Sequence, residues 1–167
     1  MLDEPFSNLD PIHTDILKSV IRDIGEKLTI TCMLVSHDPQ DTLPWADEIL
    51  VLEDGQLRQK GSPEQIYRQP VNEYVAGLFG RYNVIGPAEA AFLSTMPGIA
   101  VAPGIVRPEY FIIAKEDNGG VKGEVSRVSF VGGFYEVEVL LPGFGITVST
   151  SSGHYVKGDG VYLRLMS

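Results

Sequence analysis

Met1-Leu2-Asp3-Glu4-Pro5-Phe6-Ser7-Asn8-Leu9-Asp10 opens the chain, and Leu34-Val35-Ser36-His37-Asp38 closes an apolar run further on. Asp10 stands directly before Pro11. An aspartate can accept from the free amides of a first helical turn, and a proline there gives up no hydrogen bond, so a helix is predicted to start at this point. Behind it Ile12, Ile16, Val20, Ile24 and Leu28 recur every four residues with Leu17 and Ile21 alongside, which predicts one buried helical stripe. Residues 30–35 read as a short strand apolar on both faces, the pattern of a parallel sheet covered by helices. Cys32 lies in that run and reads as core filler.

Working outward, residues 48–53 and 56–60 flank Asp54-Gly55, a strong two-residue hairpin signal. Ser62-Pro63-Glu64-Gln65 is a capping box with proline at the first helical position, predicting a helix over 63–69 that Pro70 stops. Asn72 can cap a further short helix ending at Gly80. From about Asn83 the texture becomes all-β. Pro87, Pro97, Pro103, Pro108, Gly119-Gly120, Gly132-Gly133, Pro142-Gly143 and Gly158 punctuate runs rich in Val, Ile and aromatics. Residues 121–131, 134–141, 144–150 and 160–165 are the clearest strands, and residues 88–93 allow a helical turn or two. The expected fold is an α/β head over residues 1–82, followed by a small all-β barrel of the oligonucleotide/oligosaccharide-binding (OB-like) type over residues 83–167.

Composition narrows the function. A net charge of -9 over 167 residues argues against a nucleic-acid surface, because a polyanion would be repelled. Cys32 is the single cysteine, so no internal disulfide is possible and a reducing compartment is expected. The apolar runs fall far short of the roughly 20 residues a membrane helix needs. Asp3 and Glu4 sit where a signal peptide would be basic and then apolar. Any link to a membrane is therefore expected to run through partners.

The chemistry is concentrated near the start. Asp3-Glu4 alone suits a solvated acidic turn, but a carboxylate pair at the end of a parallel strand also suits a different task. One can hold a hydrated magnesium while its neighbour faces a nucleotide and orients water. His37 alone suits a strand end or a cap, and Ser7-Asn8-Leu9-Asp10 alone is a turn into a helix. Their conjunction in this order is far more specific than any part.

Leu2-Asp3-Glu4-Pro5 resembles the Walker B end of ATP-binding-cassette (ABC) ATPases, Ser7-Asn8-Leu9-Asp10 their D-loop, and Val35-Ser36-His37-Asp38 their switch histidine. Ala46 to Gly55 is similar to the strand and hairpin that follow, and Gly61 to Tyr67 to the next helix. Arg107-Pro108-Glu109 is similar to a motif of the accessory (TOBE-type) barrel of importer ATPases. The resemblance implies a P-loop NTPase head and a transport-coupled ATPase using ATP and Mg2+. It casts Asp3 as magnesium support, Glu4 as general base, Asp10 as the residue communicating across a dimer, and His37 as the γ-phosphate contact. It further implies transmembrane permease subunits, a homodimer or second ATPase subunit and, indirectly, a solute-binding protein, at the cytoplasmic face of the cell membrane. Phe6-Ser7-Asn8 leans towards iron or polyamine relatives.

The 167 residues contain no G-x-x-x-x-G-K-[ST] phosphate loop and no Ser-Gly-Gly-Gln signature. The resemblance therefore implies a truncated head, inactive on its own. Pro44 falls inside the short helix that the family has after its histidine, and Thr42 stands where an alanine is expected. A second reading makes the β-rich tail a non-catalytic regulatory or anion-binding module, with Gly132-Gly133 and Ser149-Thr150-Ser151-Ser152-Gly153 as candidate donors. A third, a chromosome-organising or repair ATPase, is disfavoured by the tail and by the lack of heptads.

Overall fold

Leu2–Asp3 (β1) opens the computed structural model, which describes residues 1–96, 100–117 and 119–166. Asp10 then caps Pro11–Leu28 (α1) as its position before proline requires: its carboxylate accepts from the His13 amide at 3.0 Å. The helix ends where Thr29 turns left-handed at φ 53°, returning its amide to the Gly25 carbonyl. Leu34–Val35 (β2) pairs in parallel with β1, Leu2 opposite Leu34 and Asp3 opposite Val35. After a 3-10 turn at Pro39–Asp41 come Ile49–Glu53 (β3) and Gln56–Gly61 (β4), an antiparallel hairpin. Its two turn residues, Asp54 and Gly55, both take positive φ, as the strand twist demands. Pro63–Arg68 (α2) follows, with both reciprocal bonds of the Ser62/Gln65 capping box present.

Compactness divides the chain into Met1–Val71 and Asn72–Ser167, earlier than the expected boundary at 82/83. Arg107 supplies the reason. Its side chain is 1% exposed, and one guanidinium nitrogen, Nη1, donates to the carbonyls of Ala76, Gly80 and Arg81 at 3.0–3.1 Å. Ala76 lies in Glu73–Leu78 (α3), capped by Asn72, so this helix is tied to the second unit through its last carbonyls.

Asn83–Ile85 (β5) pairs antiparallel with Gly104–Val106 (β6), and between them lies Pro87–Leu93 (α4). Phe111–Ala114 (β7), Val121–Phe130 (β8), Tyr135–Leu141 (β9), Phe144–Thr150 (β10) and Gly160–Leu165 (β11) then form one antiparallel sheet in the order β10-β9-β8-β11-β7. Alternate residues face one core: Val125, Val137, Val139, Ile146, Val148, Val161 and Leu163 are all at 0–1% exposure. The small OB-like barrel expected here takes the form of a half-barrel. Among the described residues no hydrogen-bonded ladder joins β10 to β7, and the 3-10 turn Pro108–Tyr110 also packs beside β10. At Thr147 the outer edge of β10 is taken by a side chain: Asn83 donates its amide to the Thr147 carbonyl at 2.8 Å and accepts from its N–H at 2.7 Å.

Three expectations about the first unit are corrected. The stripe Ile12, Ile16, Val20, Ile24, Leu28 does lie on one helix, but it is 45–72% exposed and α1 has no buried residue. Periodicity decides which side chains share a face; burial needs a second surface against that face. The strand expected over 30–35 is confined to its last two residues, with Ile30, Met33 and Val35 exposed. Cys32 is exposed too, so it fills no core here. After His37 the backbone makes only the 3-10 turn and further turns before β3, consistent with Pro44 barring a longer helix. Pro97, one of the punctuating prolines, lies outside the described residues.

Candidate functional site

The parallel pairing of β1 and β2 sets the geometry. The Leu2 amide donates to the Met33 carbonyl and the Glu4 amide to the Val35 carbonyl, both at 2.8 Å. The two chains thus leave the pair side by side, one into Glu4 and the other into Ser36-His37. Glu4 takes φ 42°, and its carbonyl accepts from both the Ser7 amide (3.1 Å) and the Ser7 hydroxyl (2.8 Å), folding residues 4–9 into a tight turn. Its carboxylate accepts a hydrogen bond from His37 Nδ1 at 2.8 Å, across 33 residues of sequence. This bond, together with the Glu4 charge, holds the imidazole pKa above its ordinary value. The His37 proton is therefore retained to higher pH, and the ion pair is lost as pH rises through that raised value.

Of the four residues singled out by sequence, the structure joins Glu4 and His37. Both line one concavity of the first unit, with Ser7, Asn8 and Ser36 beside them. Asp3 and Asp10 are not part of its lining. Asp3 is exposed at the end of β1, and among the described residues no three His, Cys, Asp or Glu side chains gather as a metal-holding group. Asp10 is committed to its helix. Besides the His13 amide it pairs with His13 Nδ1 at 2.6 Å, and these bonds, the backbone one foremost, hold its carboxyl below the usual range.

The surroundings of His37 carry no signal in the sequence. Ser36 donates to Asp41, Asp41 pairs with Lys18 of α1, and Lys18 lies over the Phe6 ring. The Asp41–Lys18 and Lys18–Phe6 contacts join residues 23 and 12 positions apart, so no local spacing marks them.

In the second unit two of the candidate anion donors, Thr150 and Ser152, make local hydrogen bonds. Thr150 Oγ1 accepts from the Ser152 amide, and the Ser152 hydroxyl bonds His154 Nδ1. Among the described residues, no helix is long and apolar enough to cross a membrane.

Residues 104–166 match the family model of the TOBE domain, which takes in β6 to β11. The Fe(3+) ions import ATP-binding protein of Rhizobium etli is 32% identical over 156 residues, covering 83% of this chain and 44% of the relative. The sulfate/thiosulfate import ATP-binding protein of Synechocystis is 32% identical over 149 residues, covering 84% and 42%. The spermidine/putrescine import ATP-binding protein of Acetivibrio thermocellus is 28% identical over 178 residues, covering 99% and 50%. Over most of its length the chain is similar to the ATP-binding subunits of ABC importers, and residues 104–166 are a TOBE domain. The chain spans half or less of the length of these curated relatives. The three relatives carry three different solutes in their names at similar identity, so likeness to ABC importer ATP-binding subunits does not select a solute.

Proposed function

We propose that these residues form the hydrolytic side of an ABC importer ATPase, coupling ATP binding and hydrolysis to solute uptake. The observation that supports this best is the Glu4–His37 hydrogen bond at the ends of two paired parallel strands. In phosphoryl transfer there is little covalent work for a protein to do; it positions groups and neutralises charge. Glu4 is the acceptor that orients or deprotonates the attacking water once its carboxylate is turned from His37. His37, a donor, contacts the γ-phosphate and senses its loss. Asp3 supports magnesium through water; the ion, when bound with nucleotide, offsets the phosphate charge. Asp10 faces a second ATPase subunit after leaving His13. The partners under this reading are transmembrane permease subunits, a second copy or second ATPase subunit, and indirectly a solute-binding protein, at the cytoplasmic face of the membrane.

In an ATP-binding subunit of the relatives' length containing these residues, ATP hydrolysis is expected to require magnesium. His37→Ala should lower turnover by roughly 10²-fold or more, as for the loss of a preorganised donor to developing charge. Turnover indifferent to magnesium, or to His37→Ala, removes the assignment.

The 167-residue polypeptide by itself is expected to leave ATP unhydrolysed and to self-associate. Its α1 stripe is 45–72% exposed. A few hundred Å² of apolar surface, at about 25 cal/mol per Å², makes several kcal/mol available to any contact that covers it. Sedimentation over a wide concentration range should show dimers or larger species; a concentration-independent monomer refutes this.

A further inference from the structure

The Glu4–His37 hydrogen bond is exposed, its two side chains at 43% and 80% of their free surface. In water such a pair is worth little and does not fix the geometry of the loops that carry it. Something else must hold the two turns in register, and the adjacent side chains do so.

Ser36 directly precedes His37. Its hydroxyl donates to Asp41 Oδ2 at 2.8 Å and accepts from the Asp38 amide at 3.1 Å, so it grips the backbone on the far side of the histidine. The Asp41 amide closes the same turn on the Asp38 carbonyl at 3.0 Å. The second Asp41 oxygen, Oδ1, pairs with Lys18 Nζ at 3.1 Å, and here both side chains are only 13% exposed. Lys18 comes from α1, and its ammonium lies 5.1 Å from the centre of the Phe6 ring. Phe6 is 5% exposed, stands two residues after Glu4, and meets the edge of Trp45. One part-buried ion pair thus ties the turn carrying Glu4, the helix that follows it, and the turn carrying His37.

We propose that Lys18 and Asp41, with Ser36 as the link, are positioning residues that hold His37 against Glu4. A charge-assisted pair with both carboxylate oxygens engaged is directional, which an apolar contact at the same place would not be. The inference rests on the functional reading above only for its consequence on turnover; the positioning itself is a property of the chain.

The test uses a change whose two possible effects differ in sign. The anions facing His37 are Glu4, Asp38 and Asp41, and Lys18 is the cation of α1 paired to the last of these. Lys18→Met removes a positive charge, which by Coulomb's law alone raises the His37 pKa. Loss of positioning weakens the Glu4 bond and lowers it towards the ordinary imidazole value of about 6.5. NMR titration of the His37 ring in the 167-residue chain should show a fall in Lys18→Met and in the uncharged Ser36→Ala, and recovery in Lys18→Arg. In a Glu4→Gln background neither change should lower it further. A rise or no change in Lys18→Met, with Ser36→Ala also silent, overturns the proposal. Should Lys18→Met fail to fold by circular dichroism, Ser36→Ala decides alone.

In a subunit of the relatives' length, Lys18→Met should lower kcat by roughly tenfold to 10²-fold while KM stays nearly constant, as for a misplaced reacting group. A lowered His37 pKa with unchanged turnover would support the positioning and refute the hydrolytic role assigned to His37.

Discussion

Glu4→Gln, placed in an ATP-binding subunit of the relatives' length, is expected to slow ATP hydrolysis by about 10²- to 10⁴-fold while nucleotide stays bound. The substitution keeps the size of the side chain and one carbonyl oxygen, so His37 Nδ1 retains an acceptor in reach of the 2.8 Å contact seen here. What it removes is the negative charge and the ability to take a proton from water. A role confined to structure would therefore leave turnover nearly intact. A role as general base or water orienter would collapse it without loss of affinity. Phosphate release and retained radiolabelled nucleotide, measured together, separate the two. Turnover within a few-fold of the parent would remove Glu4 from the mechanism. The same change should lower the His37 pKa, because the Glu4 bond and the Glu4 charge are the leading causes of its elevation.

Arg107→Met is expected to destabilise the second unit by about 1–3 kcal/mol, the range for a buried hydrogen-bonding group left without its partner. Three carbonyls, of Ala76, Gly80 and Arg81, converge on one nitrogen of a side chain that is 1% exposed. Methionine fills much of the volume but donates nothing. For a domain of this size that loss corresponds to a fall in melting temperature of roughly 4–20 °C. Urea unfolding followed by far-ultraviolet circular dichroism of the whole chain reads it, and Arg107→Lys should recover part, because an ammonium also donates. A change below about 1 kcal/mol would mean that water reaches these carbonyls in the variant.

Local chemistry was legible in the sequence wherever a few neighbouring residues decide the backbone. The Asp10 cap with Pro11, the Ser62/Gln65 box and the Asp54-Gly55 turn all appear where their residues dictate. Strands β10 and β11 run over the expected residues because alternation marks their length and a glycine, Gly143 or Gly158, marks the turn before each. What failed depends on surfaces distant in sequence. The isoleucine stripe of α1 announces a face but not what lies opposite it, and residues 30–35 announce apolarity without a pairing partner for their first half. In the site, Glu4 and His37 were legible as a motif, and the structure adds their contact. Lys18, Asp41 and Ser36 carried no signal, because a side-chain bridge across 23 residues leaves no period or composition to detect. Arg107 was noticed as part of a motif; its carbonyl partners, 26 to 31 residues away, were invisible for the same reason.

The Asn83–Thr147 pair bears on the colloidal behaviour of the protein. An unpaired strand edge offers alternating donors and acceptors to any extended chain that drifts past, and sheets grow into fibrils by that route. At Thr147 both backbone groups are already satisfied by a single primary amide, which imitates a passing peptide bond yet has no chain to continue it. Only a side chain with a donor and an acceptor side by side can serve. Aspartate would present two acceptors to a carbonyl, and leucine would present neither. The side chain at position 83 therefore closes one point of this edge to an incoming strand, and its replacement is expected to be felt first in solubility at high concentration.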